Sequence, residues 1–295
     1  MSNEWLFRRG ERASGPWENV IGPDVPGWTH TGLRVAELDG EVSLDGSAVE
    51  RMVVPLSGQF TVTADEGRWT LDGRASVFDG PTDVLYLGIR TAARIEGRGR
   101  IAVAEAPATR SHRAAVARAE DVQIEIRGAG RSTRQVHNFG VPGTGLDAER
   151  LIVCEVVTPA ENWSSYPPHR HDRASAQETE LEEIYYFETA ITRGAAAAPG
   201  ADPFGLFATY GSDDRHIDTA AIVRTGDIAL VPYGYHGPAV AAPGYDLYYL
   251  NVMAGPGAER AWRITDDPAH GWVRSAWEHQ ETDPRLPYLP KERTR

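Results

Sequence analysis

Of the 30 basic residues in this 295-residue chain only Lys291 is a lysine, and it lies in the terminal run LPKERTR. A lysine used for Schiff-base chemistry has to be desolvated beside its substrate. A charged tail is a poor place for that, which argues against pyridoxal phosphate enzymes and Schiff-base aldolases. Cysteine is equally scarce: Cys154 is the only one, so no intramolecular disulfide can form, and within LIVCEVV it reads as a small buried hydrophobe rather than a nucleophile. Positive charge in excess is missing too. The net charge is -12 and the arginines are dispersed, whereas a nucleic-acid partner demands a concentrated basic surface. No stretch approaches the roughly 20 apolar residues that cross a bilayer, so no membrane partner is expected. The start MSNEWLFRRGERASG lacks the apolar core of a secretory signal, and the expectation is a cytoplasmic protein. There is no Walker motif and no strand-linked G-x-G-x-x-G, so nucleotide phosphates have no cradle.

What the chain does contain is short apolar runs separated by Gly, Pro and Asp: RMVVPL, QFTVTA, DVLYLG, RIAVAEA, DVQIEIRG, RLIVCEVV, EIYYFE, FGLFATY, DIALVP and YDLYYLNVM. Their length and alternation predict strands, with no long 3.6-residue period competing. The fold class is therefore all-β, most simply two jelly-roll (double-stranded β-helix) barrels in tandem, which also limits exposed sheet edges. The apolar pattern breaks between Ala106 and Arg134, and the chain is divided into residues 1–130 and 131–295. The segment from Gly194 to Gly205 reads as a loop. From Asp266 onward the strand pattern ends, and the tryptophans there are expected to pack across a barrel or a subunit. In the first half, His30 and His112 are unpaired, so that barrel is read as metal-free with a structural or oligomerisation role; a homo-oligomer stays open.

The second half carries a constellation of metal-ligand type. His169 and His171 lie two apart in PPHRHD, and on an extended strand both imidazoles project from one face. Glu183 opens the run EIYYFE, and His236 follows Gly226, five residues and Pro-x-Gly. Three neutral imidazoles and a carboxylate suit one borderline divalent ion such as Zn, Mn, Fe, Ni or Co.

That ligand layout is the one found in the cupin superfamily, and longer strings narrow the likeness. SSYPPHRHD, LEEIYYF, VPYGYH and PGYDLYYLNVMAGP, with VVPLSG, SVFDGPTDVLYL and RQVHNFG upstream, resemble the 5-deoxyglucuronate isomerase family of myo-inositol catabolism over most of the chain. Two features depart from the generic cupin pattern. The interval between His171 and Glu183 is long, as this family leads one to expect, and one residue rather than two separates Gly234 from His236. The resemblance implies a bicupin and an intramolecular oxidoreductase that turns 5-deoxy-D-glucuronate, a small uronic acid, into 5-dehydro-2-deoxy-D-gluconate. Moving a carbonyl between neighbouring carbons needs a proton removed, an enediolate stabilised and a proton returned, with no redox change, so Zn or Mn would serve as the ion.

The proton carriers are read from alternation and chemistry. Tyr185 and Phe187 share the face of Glu183, while Glu182, Ile184 and Tyr186 point the other way; Tyr185 is a candidate donor to a substrate oxygen, or a core tyrosine with a satisfied hydroxyl. His137 in RQVHNFG is a candidate base, because imidazole titrates in the working range, or else anchors a loop. Arg134 is the preferred partner for the substrate carboxylate. Glu178 and Glu180 could reach the pocket mouth or face solvent. Two other functions fit the ligand set: a cupin dioxygenase, and a non-catalytic sugar-binding or storage cupin.

Overall fold

The short alternating runs do become strands, and a strand survives only where a neighbour takes up its backbone N–H and C=O groups. In the computed structural model, which describes residues 4–196, 199–212 and 214–289, almost all regular structure is extended. Helix among these residues is confined to Val273–Ala276 and three 3-10 turns. The tail with Lys291, and Ala197–Ala198 of the expected 194–205 loop, lie outside the described residues; the described part of that loop carries neither strand nor helix up to Gly205.

The first barrel is an eight-stranded antiparallel sheet. Its long strands Gly32–Leu44 and Ala93–Pro107 pair from Gly32 opposite Glu105 to Leu44 opposite Ala93. Inward residues such as Leu38, Val53, Phe60 and Ile95 fill it. The second barrel sets a seven-stranded sheet, ordered Leu6–Phe7, Ile228–Val231, Glu182–Ile191, Tyr245–Ala254, Ile152–Thr158, Arg134–Gly140 and Gln123–Arg127, against a six-stranded one. The six-stranded sheet holds Gly205–Ser212, Tyr235–Ala241 and the two-residue strand His169–Arg170. Between them lie Val156, Tyr185, Phe187, Phe207 and Tyr249.

The outer face of the seven-stranded sheet is buried as well. Ile184, Tyr186 and Tyr248 pack in one cluster with Leu33, Met52, Val54 and Ala104 of the first barrel. Each large apolar side chain withdrawn from water there contributes about 1.5–3 kcal/mol, so the two barrels are held as one body by a second core. Carboxylates clasp the junction: Glu50 accepts from the backbone N–H groups of Glu149 (2.8 Å), Arg150 (2.7 Å) and Leu151 (2.7 Å).

The division at residue 130 falls in the turn between Gln123–Arg127 and Arg134–Gly140, which pair with each other. Leu6–Phe7 likewise pairs with Ile228–Val231. Both strands belong to the first stretch by sequence and to the second barrel by hydrogen bonding. The cause is edge coverage: an uncovered edge strand exposes a row of unpaired backbone groups. No helix among the described residues is long and apolar enough to cross a membrane.

Candidate metal centre

Each ligand residue is positioned by backbone pairing. His169 stands directly opposite His236 across adjacent antiparallel strands, the arrangement that brings Cβ atoms to about 5 Å, and their ring centroids are 4.4 Å apart. His171 lies just past the end of the His169–Arg170 strand. It is fixed by its own carbonyl, which accepts from Leu181 N (2.8 Å), and by its Nδ1, 3.2 Å from Leu181 O. Glu183 comes from the opposing sheet, paired with Val231 on one side and Met253 on the other. The turn before His236 depends on glycine. Gly234 has φ +84° and donates to Asp172 Oδ2 (2.9 Å), while at Gly237, φ +93°, a Cβ would stand 1.8 Å from Ser165 O.

The ligand atoms of His171, Glu183 and His236 lie within 4.8 Å of one another. Glu183 Oε2 is 3.0 Å from His171 Nε2 and 2.9 Å from His236 Nε2. His169 packs against this group through His236, outside its tightest cluster. The donor chemistry fits a divalent ion. His169 Nδ1 (3.2 Å from Pro167 O) and His171 Nδ1 each face a backbone carbonyl, which can hold a ring proton there and free Nε2 for an ion, the support usual behind metal-ligating histidines. Both ring nitrogens of His236 are buried without hydrogen-bond geometry to any partner. Burial, reinforced by the neighbouring imidazoles, pushes His169 well below the ordinary histidine range, and burial lowers His236 as well; both are neutral at pH 7, as ligation requires. For Glu183 burial works upward, but the close His236 and His171 imidazoles outweigh it and hold the carboxyl ionised. At His171 burial is outweighed by the bond to Glu183, which raises it.

A cavity of about 480 Å³ opens beside this group. His169, Glu183, Tyr185, Tyr249, Asn251 and Arg134 are among its lining residues. Ser165 Oγ joins the two tyrosine hydroxyls, 3.0 Å from Tyr185 and 3.1 Å from Tyr249. Tyr185 therefore sits on the inward face with Glu183, as its alternation predicts, and burial raises its hydroxyl well above the ordinary range, so it remains a proton donor. Arg134 bonds Ser132 O at 3.0 Å and stacks 5.6 Å over Trp277. It forms no ion pair among the described residues, and desolvation pushes it down to about 10. It stays charged at neutral pH, with no carboxylate in ion-pair contact among the described residues; Glu125, which pairs with Arg127 and lines the same cavity, acts on it at longer range.

The structure does not bring His137 to this cavity. The residue is fully buried on the opposite face of its strand, with Nδ1 2.9 Å from Glu155 Oε2 and Nε2 2.7 Å from Gln135 Nε2. Glu155 in turn pairs with Arg74 of the first barrel and accepts from Tyr248 (2.6 Å), so His137 belongs to a polar network between the barrels and cannot touch a ligand in the cavity. Glu178 is also turned away: it is buried, accepting from Asp172 N (2.9 Å) and Arg173 N (3.0 Å), and braces the loop after His171. Cys154 is buried and burial pushes it up to about 12, an inert thiol. Sequence reasoning missed Tyr249, Asn251, Ser165 and the contribution of Trp262, Arg274 and Trp277 to the cavity wall. For Tyr249 and Asn251 a signal existed, since they alternate inward in YDLYYLNVM.

Comparison with known proteins agrees with this geometry. The profile of the KduI/IolB family matches residues 5–273. The 5-deoxy-glucuronate isomerase of Geobacillus kaustophilus (strain HTA426) is 38% identical over 260 residues, covering 86% of this chain and 89% of that protein. Among solved structures, an IolB-like protein from Salmonella typhimurium LT2 superposes with a TM-score of 0.81 at 33% identity, over 91% of this chain and 98% of the other. A Bacillus subtilis oxalate decarboxylase, described with Mn(II) centres, superposes with a TM-score of 0.57 at 9% identity over 89% of this chain and 79% of its own, a likeness of fold alone.

Proposed function

The chain belongs to the KduI/IolB family, and from that premise we propose that it isomerises 5-deoxy-D-glucuronate to 5-dehydro-2-deoxy-D-gluconate. The observation that supports this reading most directly is the polarity of the cavity. His169 and Glu183 of the proposed metal-ligand set line it together with Arg134, an arginine that has no ion-pair partner among the described residues. A ligand carrying a carbonyl and a carboxylate on one short chain satisfies both.

His169, His171, Glu183 and His236 would hold one divalent ion, Zn or Mn in this reading, since the reaction changes no oxidation state of the metal. When bound, the ion supplies Lewis-acid polarisation of a carbonyl oxygen without proton bookkeeping. The remaining work falls to the chain itself. Arg134 takes the substrate carboxylate through its planar fork, which fixes how far the aldehyde end extends into the site. Tyr185 offers its proton to a substrate oxygen, and Ser165 and Tyr249 hold that hydroxyl in line. In the reaction a base takes the C2 proton of the aldose while the C1 oxygen gains a proton from Tyr185, giving an enediol; the base then returns its proton to C1 as the C2 hydroxyl gives its proton back to the tyrosine and becomes the ketone, so no atom is gained or lost. Phe187 and Phe207, packed against the Tyr185 ring, give that side of the site an apolar backing that strengthens each polar contact.

The test is metal-loaded protein given 5-deoxy-D-glucuronate with and without oxygen. Ketose should form at equal rates in both, with substrate mass unchanged. Oxygen consumption would point to a dioxygenase, and ligand retention without any turnover to a sugar-binding protein.

A further inference from the structure

Two donors on the cavity wall have nothing to bond. Asn251 is 3% exposed and lines the cavity, and its Nδ2 meets no acceptor. Trp262 Nε1, on the same wall, is equally buried and equally unpartnered. A buried donor left without an acceptor destabilises the fold, and here there are two in one cavity. Asn251 pairs across strands with Tyr185, one step along the same face from the Glu183–Met253 pair; it therefore stands next to the metal-ligand end. Trp262 lies under Arg127, whose guanidinium carbon is 5.4 Å from the ring, and Arg127 pairs across strands with Arg134. Its N–H thus belongs to the carboxylate end. Indole and guanidinium nitrogens can only donate, and the orphaned nitrogen of Asn251 is a donor too, so the site calls for an occupant that offers acceptors.

Resting on the isomerase reading, we propose that Asn251 and Trp262 are substrate-selecting residues: Asn251 Nδ2 donates to an oxygen on or beside the reacting carbons, and Trp262 Nε1 donates to the carboxylate or its neighbouring hydroxyl. Ligands lacking an acceptor at either place leave the buried donor unpaired and are rejected. A site built to hydrogen-bond an oxygen discriminates more sharply than an apolar pocket of the same shape.

The experiment uses Trp262→Phe, which keeps an aromatic ring and deletes the N–H, and Asn251→Leu, which keeps volume and deletes the amide. Binding of 5-deoxy-D-glucuronate to the metal-free protein is followed by calorimetry, KM and kcat are measured on the metal-loaded protein, and the melting temperature is measured without ligand. Each variant should weaken binding and raise KM by about 5- to 100-fold, while the ligand-free melting temperature stays level or rises. Unchanged affinity in Trp262→Phe, or a lowered melting temperature with normal affinity per folded molecule, overturns the assignment. Failure of the isomerase reading looks different: the unmodified protein binds the acid but makes no ketose, and the donor assignment then stands or falls on the binding data alone.

Discussion

Replacing Arg134 by methionine should make the ligand-free protein more stable and the ligand-bound one much weaker. The stabilising part follows from the buried charge. Holding the guanidinium down at about 10 through desolvation corresponds to about 3 kcal/mol against the charged form at about 1.4 kcal/mol per pH unit. The variant also gives up the bond to Ser132 O and the stacking over Trp277, each on the order of 1 kcal/mol. The net expectation is about 1 kcal/mol of added stability, a rise of about 2–4 °C in melting temperature for a protein of this size. The sign carries a pH signature. A base whose folded value is depressed destabilises the fold throughout the range where it is charged, and that penalty is relieved only as pH climbs through about 10; the gain in the variant is therefore flat from pH 5 to 9. Loss of the substrate carboxylate partner should weaken binding by about 30-fold or more. Calorimetric melting with a binding titration on one preparation measures both. A lowered melting temperature with unchanged affinity would refute the reasoning, for it would make Arg134 a structural residue whose charge is already satisfied.

Three further outcomes follow from other sites. His171→Ala should strip most of the metal while circular dichroism stays that of a folded β protein, because stability resides in the three cores rather than in the ligands; full metal content in the variant rejects the ligand set. His137→Gln should lower the melting temperature and leave kcat per folded molecule near normal, since the imidazole bonds Glu155 between the barrels; a hundredfold loss of rate, the scale of a positioned acid or base, would return it to the catalytic list. Glu155 is held down to about 2, where burial is outweighed by Arg74 and His137. Its contribution is complete above the ordinary carboxyl range and lost as pH falls toward about 2, so Glu155→Gln should flatten the acid limb of the stability curve, and an unchanged limb would remove Glu155 as its source.

The strands, and the residues His171, Glu183 and His236 that the fold gathers, were legible because both signals are local. Period-two alternation in EIYYFE put Glu183, Tyr185 and Phe187 on one face, and the burial of Ile184 and Tyr186 in a different core follows from the same pattern. What a single sequence does not carry is which strand lies beside which. Asn251 faces the cavity because it pairs with Tyr185, and Trp262 arrives from a segment without regular structure. The choice of His137 as base was avoidable on local grounds. Arg134 and His137 are three apart in one strand, so they face opposite sides, and an arginine that looks into the cavity excludes that histidine from it.

The first barrel has its own part in the site. The strand Glu182–Ile191 is buried on both faces, so a slip of one residue would exchange Glu183 for Glu182 at the metal end. Hydrophobicity opposes that slip weakly, because Tyr185 and Tyr186 are nearly interchangeable in bulk. Hydrogen bonds discriminate better. On the outward face Glu182 accepts from Thr29 N at 2.9 Å and His30 N at 2.6 Å, and Tyr186 accepts from Arg100 Nε at 2.7 Å. A slipped strand would leave the buried Arg100 donor and the buried Glu182 carboxylate without these partners, at about 1–3 kcal/mol each. The segment Thr29–Thr31 and Arg100 thus fix the register that turns Glu183 toward the histidines, which gives the first barrel a function in the chemistry of the second without contributing a ligand to it.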